Sequence, residues 1–284
     1  MFKNTNTNTN IKLAQYLVTY IESCDTYKNL FTHHKQQYSV QKLFEALLYK
    51  LETGISYNNI NNVNLGVKGG ALFYFYQKII KNNVLTNFYD YYVNEYINQN
   101  HEEINTFYVD STLIANKLGI DKTSYNVQLK KHRSTKISLV EDNFGIPLDI
   151  IVTNSNVHDA SICIDHITNI SNKFQKLCSN KNKFIADAAY DSKNIREHLK
   201  NKNLGILICD KNKRNTKDKD KIDKLKMTLT ERLLLKKRSS IEHLNNNLKQ
   251  NRTINVRYEK NSKSYESFVT LSVIKKIFKI IKRL

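Results

Sequence analysis

Three charged residues near the C-terminus are spaced so that one side of a helix would carry all of them. The segment 227–250 contains Arg238, Glu242 and Lys249 and has neither glycine nor proline. At about 100° per residue, these side chains fall within roughly 60° of one another. A carboxylate flanked by two cations can bind a metal ion while its neighbours hold phosphate groups. Each residue taken alone is more typical of a solvated helix face, so the rest of the chain must decide.

The segment 227–250 is predicted to be one continuous helix. Thr228 and Glu231 have the spacing of a capping box, which satisfies free backbone N–H groups at a helix start. Apolar residues then recur at helical spacing and predict a buried stripe beside the charged side: Leu234, Ile241, Leu244 and Leu248.

Two aspartates elsewhere in the chain are predicted to follow buried strands. Asp110 comes after the apolar run TFYV, and Asp187 comes directly after a short strand at residues 184–186. Central strands of a mixed sheet lie side by side, so both aspartates can converge with Glu242 on a helix packed against the sheet. Three carboxylates at one point repel one another unless metal ions neutralise them.

The order of predicted elements indicates the fold that would bring these residues together. From residue 104 onward the order is strand, strand, strand, helix, strand, helix, strand, helix, and strands 136–140 and 146–153 form a hairpin. This order is that of an RNase H-like α/β fold with a mixed five-stranded sheet flanked by helices. A small all-α domain precedes it. The predicted domains are a disordered tail at 1–10, a helical domain at 11–100 and a catalytic domain at 101–284.

The helical domain has the features of a DNA-binding module. Ser39 can cap a helix that Gly54 ends, and Ser56 can cap a short helix before a third one near residue 71. Short helices with glycine-containing turns resemble a helix-turn-helix. A plain helical bundle explains this pattern equally well.

Composition favours a polyanionic partner and excludes several classes of protein. Lys and Arg number 45 against 26 Asp and Glu, for a net charge of +19 and a pI near 9.6. Part of the excess reflects a chain rich in Asn, Lys, Ile and Tyr. The basic segment 210–226 could follow DNA or be a solvated loop. No run of eighteen apolar residues predicts a membrane span, so we expect an intracellular protein, cytoplasmic in a prokaryote or nuclear otherwise.

Several blocks of sequence, in order, resemble the DDE transposases of bacterial insertion sequences, in the group of insertion sequence four and five elements. VDST around Asp110 resembles the first catalytic block, and ADAAYDS around Asp187 resembles the second. Arg238, Glu242 and Lys249 match the third. The hairpin HRSTKISLVEDNFGIPL, the loop NVHDA, the segment RYEK and the N-terminal LLYKLETGISYNNI are also similar to segments of this group.

The resemblance implies an activity and roles for individual residues. Asp110, Asp187 and Glu242 would be the catalytic residues and would bind two Mg²⁺ ions, with Mn²⁺ as a substitute. The implied reaction nicks DNA at the element ends, and the freed 3′ hydroxyl then attacks target DNA. The implied partners are double-stranded DNA and a second copy of the chain, in a homodimer or larger complex. The candidate DNA-binding residues are Arg238, Lys249, Lys136 and His158.

Some features depart from the group or leave alternatives open. Leu235 stands where the group has a signature tyrosine, and the chain lacks tryptophan, with Tyr57 where the N-terminal region often has it. A transposon-derived DNA-binding protein without transposition activity and a metal-dependent DNA nuclease are the alternative functions. Three further aspartates are interpreted as turn or surface groups: Asp142, Asp149 and Asp191.

Overall fold

The computed structural model describes residues 5–31, 37–126, 132–209 and 228–281. These residues form two compact units. The first unit comprises the described parts of 1–92, 115–121 and 247–284, and the second comprises those of 93–114 and 122–246. This grouping reflects packing alone, so the predicted functional domains 11–100 and 101–284 stay predictions.

Twelve α-helices lie within the described residues. In chain order they are α1 Thr5–Ser23, α2 Asp25–Phe31, α3 Val40–Thr53, α4 Tyr57–Ile60, α5 Gly69–Lys81, α6 Val84–Asn100, α7 Asp159–Lys173, α8 Lys193–Asn201, α9 Leu229–Lys237, α10 Ser239–Lys249, α11 Arg252–Asn255 and α12 Ser262–Ile281.

The first unit is helical, and its helix ends follow from the sequence. Ser39 caps α3 by accepting a hydrogen bond from the Lys42 N–H, and Gly54 ends the helix in the left-handed conformation at φ 67°. Ser56 caps α4 in the same way as Ser39 caps α3. The buried faces of α1, α3, α5 and α12 pack together as the core of this unit. The predicted succession of short helices is therefore present, whereas a helix-turn-helix role stays a prediction.

The expected disordered tail at 1–10 needs correction where the structure describes it. Helix α1 begins at Thr5, so residues 5–10 of the Thr-Asn repeat are helical. Leu13 and Leu17 are completely buried one and two turns later, and the Asn10 side chain donates to Glu52 at 3.1 Å. The helix is thus extended backward from buried anchors, although the repeat itself has no apolar residues.

The described residues also contain one sheet of seven strands. These are β1 Thr106–Asn116, β2 Ser124–Asn126, β3 His132–Asp142, β4 Pro147–Asn154, β5 Lys183–Ala186, β6 Leu207–Cys209 and β7 Val256–Arg257. The main order is β2-β3-β1-β5-β6, with β4 paired to β3 and β7 paired to the end of β1. Strands β3 and β4 form the predicted antiparallel hairpin, and β1, β5 and β6 are parallel neighbours.

This topology is the predicted RNase H-like mixed sheet, with one correction to the strand count. The five predicted strands correspond to β1, β3, β4, β5 and β6. The two additional strands, β2 and β7, contain three and two residues. Segments this short show no alternating pattern of apolar residues, so only their pairing partners reveal them.

Helices of the second unit pack against the sheet near the ends of these strands. Helix α7 contacts β4, α8 contacts α7 and β6, and α9 lies against β5 and β6. The fold therefore places the start of the charged segment beside the strand that precedes Asp187.

The predicted single helix 227–250 is divided into α9 and α10 at Arg238. The capping box of Thr228 and Glu231 is present at the start of α9. At the break, the Arg238 N–H bonds to the Leu235 carbonyl, three residues back. Ser239 donates its hydroxyl to the Lys236 carbonyl, and Ser240 donates to another segment, Glu141 of β3, at 2.5 Å. Serine side chains that bond in this way compete with regular helix hydrogen bonds and bend helices.

The predicted role of segment 210–226 falls outside the described residues, as does Met227 at the predicted helix start. Within the described part of the chain, no helix is long and apolar enough to cross a membrane.

Candidate active site

The register of two parallel strands aligns Asp110 with Asp187. Strands β1 and β5 pair from Thr106 with Lys183 to Tyr108 with Ile185. Two residues further on are Asp110, which lies within β1 and not at the predicted strand end, and Asp187, which directly follows β5. Because side chains alternate with a period of two and neighbouring strands lie about 4.8 Å apart, these positions share one face at the same end of the sheet.

The two aspartates have different local surroundings. Asp187 is exposed, and its carboxylate accepts from the Ala189 N–H at 2.6 Å, which caps the 3-10 turn Ala188–Tyr190. The side chain of Asp110 is only 23% exposed and accepts from the Asn245 amide at 2.9 Å. Asn245 reaches it from α10, so this helix contacts the middle of β1 directly.

Arg238 lies close to both Asp110 and Glu242. Its guanidinium is 2.5 Å from the Glu242 carboxylate, one helical turn away, and 3.8 Å from the Asp110 carboxylate. Burial raises the pKa of the Asp110 carboxyl, Arg238 opposes that rise, and Glu242 adds to it. Asp110 and Glu242 are therefore near enough to influence each other, and in this structure an arginine compensates their charge.

The donor atoms at this site fit a divalent ion of the magnesium type, which prefers carboxylate and other oxygen ligands. The carboxylates of Asp110 and Glu242 both lie near Arg238, and the buried Oδ1 of Asn245 has no hydrogen-bond partner. Within the described residues, however, no group of three His, Cys, Asp or Glu side chains is arranged to hold a metal ion. The Glu242 carboxylate instead forms an ion pair with Arg238.

The three other predicted DNA-binding residues have distinct placements. Lys249 is the last residue of α10 and lies two turns from Glu242 on the same helix. His158 is exposed at the start of α7, where its backbone carbonyl accepts from the Ile162 N–H.

Lys136 differs from its predicted role. It is 7% exposed, and its ammonium donates to the Val157 carbonyl at 2.7 Å and to Asp159 at 2.8 Å. This cation ties β3 to the loop that enters α7. We therefore withdraw Lys136 as a DNA contact and assign it an internal role.

Of the aspartates that we interpreted as turn or surface groups, Asp149 needs correction, whereas Asp142 is a buried turn group that accepts from the Phe144 and Ile146 N–H groups. Asp149 is 3% exposed and bonds to His166, while Asp142 is completely buried and accepts from the Tyr96 hydroxyl at 2.6 Å. Asp191 matches its prediction, since it pairs with Arg196 at the surface.

Sequence reasoning also overlooked two buried polar residues near the site, His166 and Glu141. His166 lies in helix α7 between Ile162 and Ile170, each four residues away, so it occupies an apolar stripe. That position could have predicted burial of His166, because a histidine in an apolar stripe is buried and needs hydrogen-bond partners. Glu141 is 1% exposed and accepts a hydrogen bond from Ser240 of α10. No local sequence pattern predicts this contact.

The segment RYEK has a structural role in the first unit. Arg257 is completely buried, and its guanidinium donates to the Asp121 carboxylate and backbone carbonyl, both at 2.7 Å. It also donates to the carbonyl of Glu259. These bonds hold the chain around β7 to the residues that follow β1.

Comparison with known proteins identifies the family. The sequence profile described as "Transposase DDE domain" matches residues 102–274. No curated protein matches the chain. Two solved structures with weak similarity are a Mos1 transposase paired-end complex with the left transposon end and a pre-cleavage Mos1 transpososome. The first is 10% identical over 80% of this chain and 86% of that one, with a TM-score of 0.28. The second is 9% identical over 92% and 86%, with a TM-score of 0.29. Such low TM-scores support no conclusion about this chain.

The family match confirms the coarser part of the resemblance found in the sequence. Because the profile covers more than half of the chain and includes Asp110, Asp187 and Glu242, the chain belongs to the DDE transposase family.

Proposed function

We propose that this chain is a transposase of the insertion sequence four and five group, which binds the terminal repeats of its element and catalyses DNA cleavage and strand transfer. The observation that carries the proposal is the alignment of Asp110 with Asp187, together with the contact of Arg238 to both Asp110 and Glu242. These observations support a shared site for three carboxylates that come from distant parts of the sequence.

The proposed metal ligands are Asp110, Asp187 and Glu242. Bound Mg²⁺ or Mn²⁺ ions, two in number, would neutralise charge on the phosphate and on the attacking and leaving oxygens. Hydrolysis breaks the bond between phosphorus and the 3′ oxygen and leaves a 3′ hydroxyl and a 5′ phosphate. In strand transfer, that hydroxyl attacks a target phosphodiester and displaces its 3′ oxygen.

The basic residues around the carboxylates serve to position DNA. Arg238 has a planar group with several donors, which suits a phosphate as well as it suits the carboxylates it contacts now. Lys249, two turns from Glu242 on α10, would hold a second phosphate, and the exposed His158 would lie along the loop before α7. We assign end recognition to the helical residues 11–100, and synapsis of two ends to a homodimer or larger assembly.

The test is cleavage of DNA that carries the element's own terminal repeats, in the presence of Mg²⁺. We expect nicking at the repeat ends, and we expect Asp187→Asn to abolish it. Asp191→Asn is the matched control, because Asp191 lies four residues away in the same loop and is paired only with Arg196 among the contacts described. Cleavage without preference for the ends would instead indicate a nuclease, and end binding without cleavage would indicate a DNA-binding protein.

A further inference from the structure

Five polar side chains form a continuous row of hydrogen bonds behind the proposed site. Asp149 accepts from His166 Nδ1 at 2.7 Å, and His166 Nε2 lies 2.9 Å from the Ser138 hydroxyl. Ser111 Oγ is 3.0 Å from Ser138 Oγ and 3.2 Å from the Tyr190 hydroxyl. The row joins α7, β4, β3, β1 and the turn after β5.

The protons in this row can be assigned consistently. In the neutral imidazole, Nδ1–H donates to Asp149 and Nε2 accepts from the Ser138 hydroxyl. Ser138 then accepts from Ser111, and Ser111 accepts from Tyr190. Burial raises the pKa of the Tyr190 phenol far above its ordinary value, so it remains a donor. Each serine hydroxyl therefore donates one hydrogen bond and accepts one within the row. The Tyr190 hydroxyl, at the end of the row, only donates.

The members nearest Asp149 are buried deeply. His166 and Ser138 are completely buried, and Asp149 also accepts from Asn169 at 2.9 Å. A buried polar network whose members are all satisfied fixes the position of the elements that carry it, because losing one bond leaves a neighbour unpaired.

The other end of the row lies at the two aspartates. Backbone pairing between β1 and β5 ends at Tyr108 and Ile185, before Asp110 and Asp187 are reached. Ser111 follows Asp110 directly, and Tyr190 closes the turn that Asp187 caps. The bond between their hydroxyls therefore joins the two segments at the point where the strand ladder no longer does.

We propose that Ser111 and Tyr190, supported by the row from Ser138 to Asp149, are positioning residues that set the spacing of Asp110 and Asp187 for a divalent ion. This inference rests on the proposed function, since it assigns the aspartates to a metal site. Groups that orient metal ligands from behind typically affect metal affinity by 10- to 100-fold.

The test measures Mn²⁺ affinity of the full chain by electron paramagnetic resonance of the free ion, without DNA. We expect Tyr190→Phe to weaken Mn²⁺ binding by roughly 10-fold or more, with a fall of only a few degrees in melting temperature. Tyr265→Phe is the matched control, because its buried hydroxyl donates to the Ile254 carbonyl at 2.9 Å in the first unit. That control should leave Mn²⁺ affinity unchanged.

A second variant protects the test against misfolding of the first. Ser111→Ala should also weaken Mn²⁺ binding, and adding Tyr190→Phe to it should cause little further loss, because both remove the same bond. Unchanged Mn²⁺ affinity in Tyr190→Phe and Ser111→Ala, or an equal loss in Tyr265→Phe, overturns this inference. Either result leaves the proposed function untouched. Absence of Mn²⁺ binding by the wild-type chain, or binding that Asp110→Asn leaves intact, overturns the proposed function as well.

Discussion

Replacing Arg238 with glutamine should increase the affinity of the protein for a divalent ion. In the structure, the Arg238 guanidinium pairs with Glu242 at 2.5 Å and lies 3.8 Å from Asp110. A metal ion that uses both carboxylates must displace this cation from them. The variant keeps a polar side chain of similar length but removes the competing charge.

The expected size of the effect follows from these distances. Two unit charges 3.8 Å apart attract by about 4 kcal/mol at an effective dielectric constant of about 20. The side chains are 22% exposed at Arg238, 23% at Asp110 and 49% at Glu242, so water screens part of this attraction. We therefore expect about 1–2 kcal/mol, which corresponds to roughly 5- to 30-fold tighter binding of Mn²⁺.

Calorimetric titration of Mn²⁺ into the variant and the wild type measures this change. Arg232→Gln is the matched control, because it removes the same charge from an exposed position on α9. With metal bound, Arg238→Gln should bind end DNA more weakly than the wild type. The variant lacks the guanidinium that metal binding would free from the carboxylates to contact a phosphate. Unchanged or weaker Mn²⁺ binding, or an equal gain in Arg232→Gln, would refute competition by Arg238.

Three further predictions concern stability and DNA binding. Burial raises the pKa of Asp142 to about 6, so the folded state holds its proton more tightly than the unfolded state does. Relative to Asp142→Asn, the unfolding free energy of the wild type should fall by about 2 kcal/mol as pH rises from about 4 to 6 in urea melts; a rise would contradict this. Arg257→Met should lower the unfolding free energy by roughly 3 kcal/mol, because the carboxylate of Asp121 and three backbone carbonyls each lose one hydrogen-bond donor. Leu235→Tyr restores the group's signature phenol, and it should tighten end binding by a few-fold in fluorescence anisotropy; no change would mean that the phenol does not contact DNA here.

The sequence was informative wherever a local rule determines structure. The capping box at Thr228, the caps at Ser39 and Gly54 and the hairpin around Gly145 were all predicted from short-range patterns. The alignment of Asp110 with Asp187 followed from the order of strands, because parallel neighbours end at one edge of a sheet.

The features that could not be predicted depend on contacts between distant residues. The helix break near Arg238 involves Ser240, which bonds to Glu141, 99 residues earlier in the chain. Asp149 looked like a turn residue because its partner, His166, lies on a helix 17 residues later. Lys136 carried the charge expected of a DNA contact, but Asp159 pairs with it internally. In each case the residue type is compatible with two roles, and the role is determined by which distant residues pack against it.

The central claim is that Asp110, Asp187 and Glu242 act together to cut the ends of a transposable element. The most direct measurement is the nicking of a labelled terminal-repeat duplex in Mg²⁺ by the wild type and by each single variant, Asp110→Asn, Asp187→Asn and Glu242→Gln, with Asp191→Asn alongside. We predict cleavage at the repeat end by the wild type and by Asp191→Asn, and none by the other three. Cleavage that survives in any of the three variants, or that never occurs in the wild type, would contradict the claim.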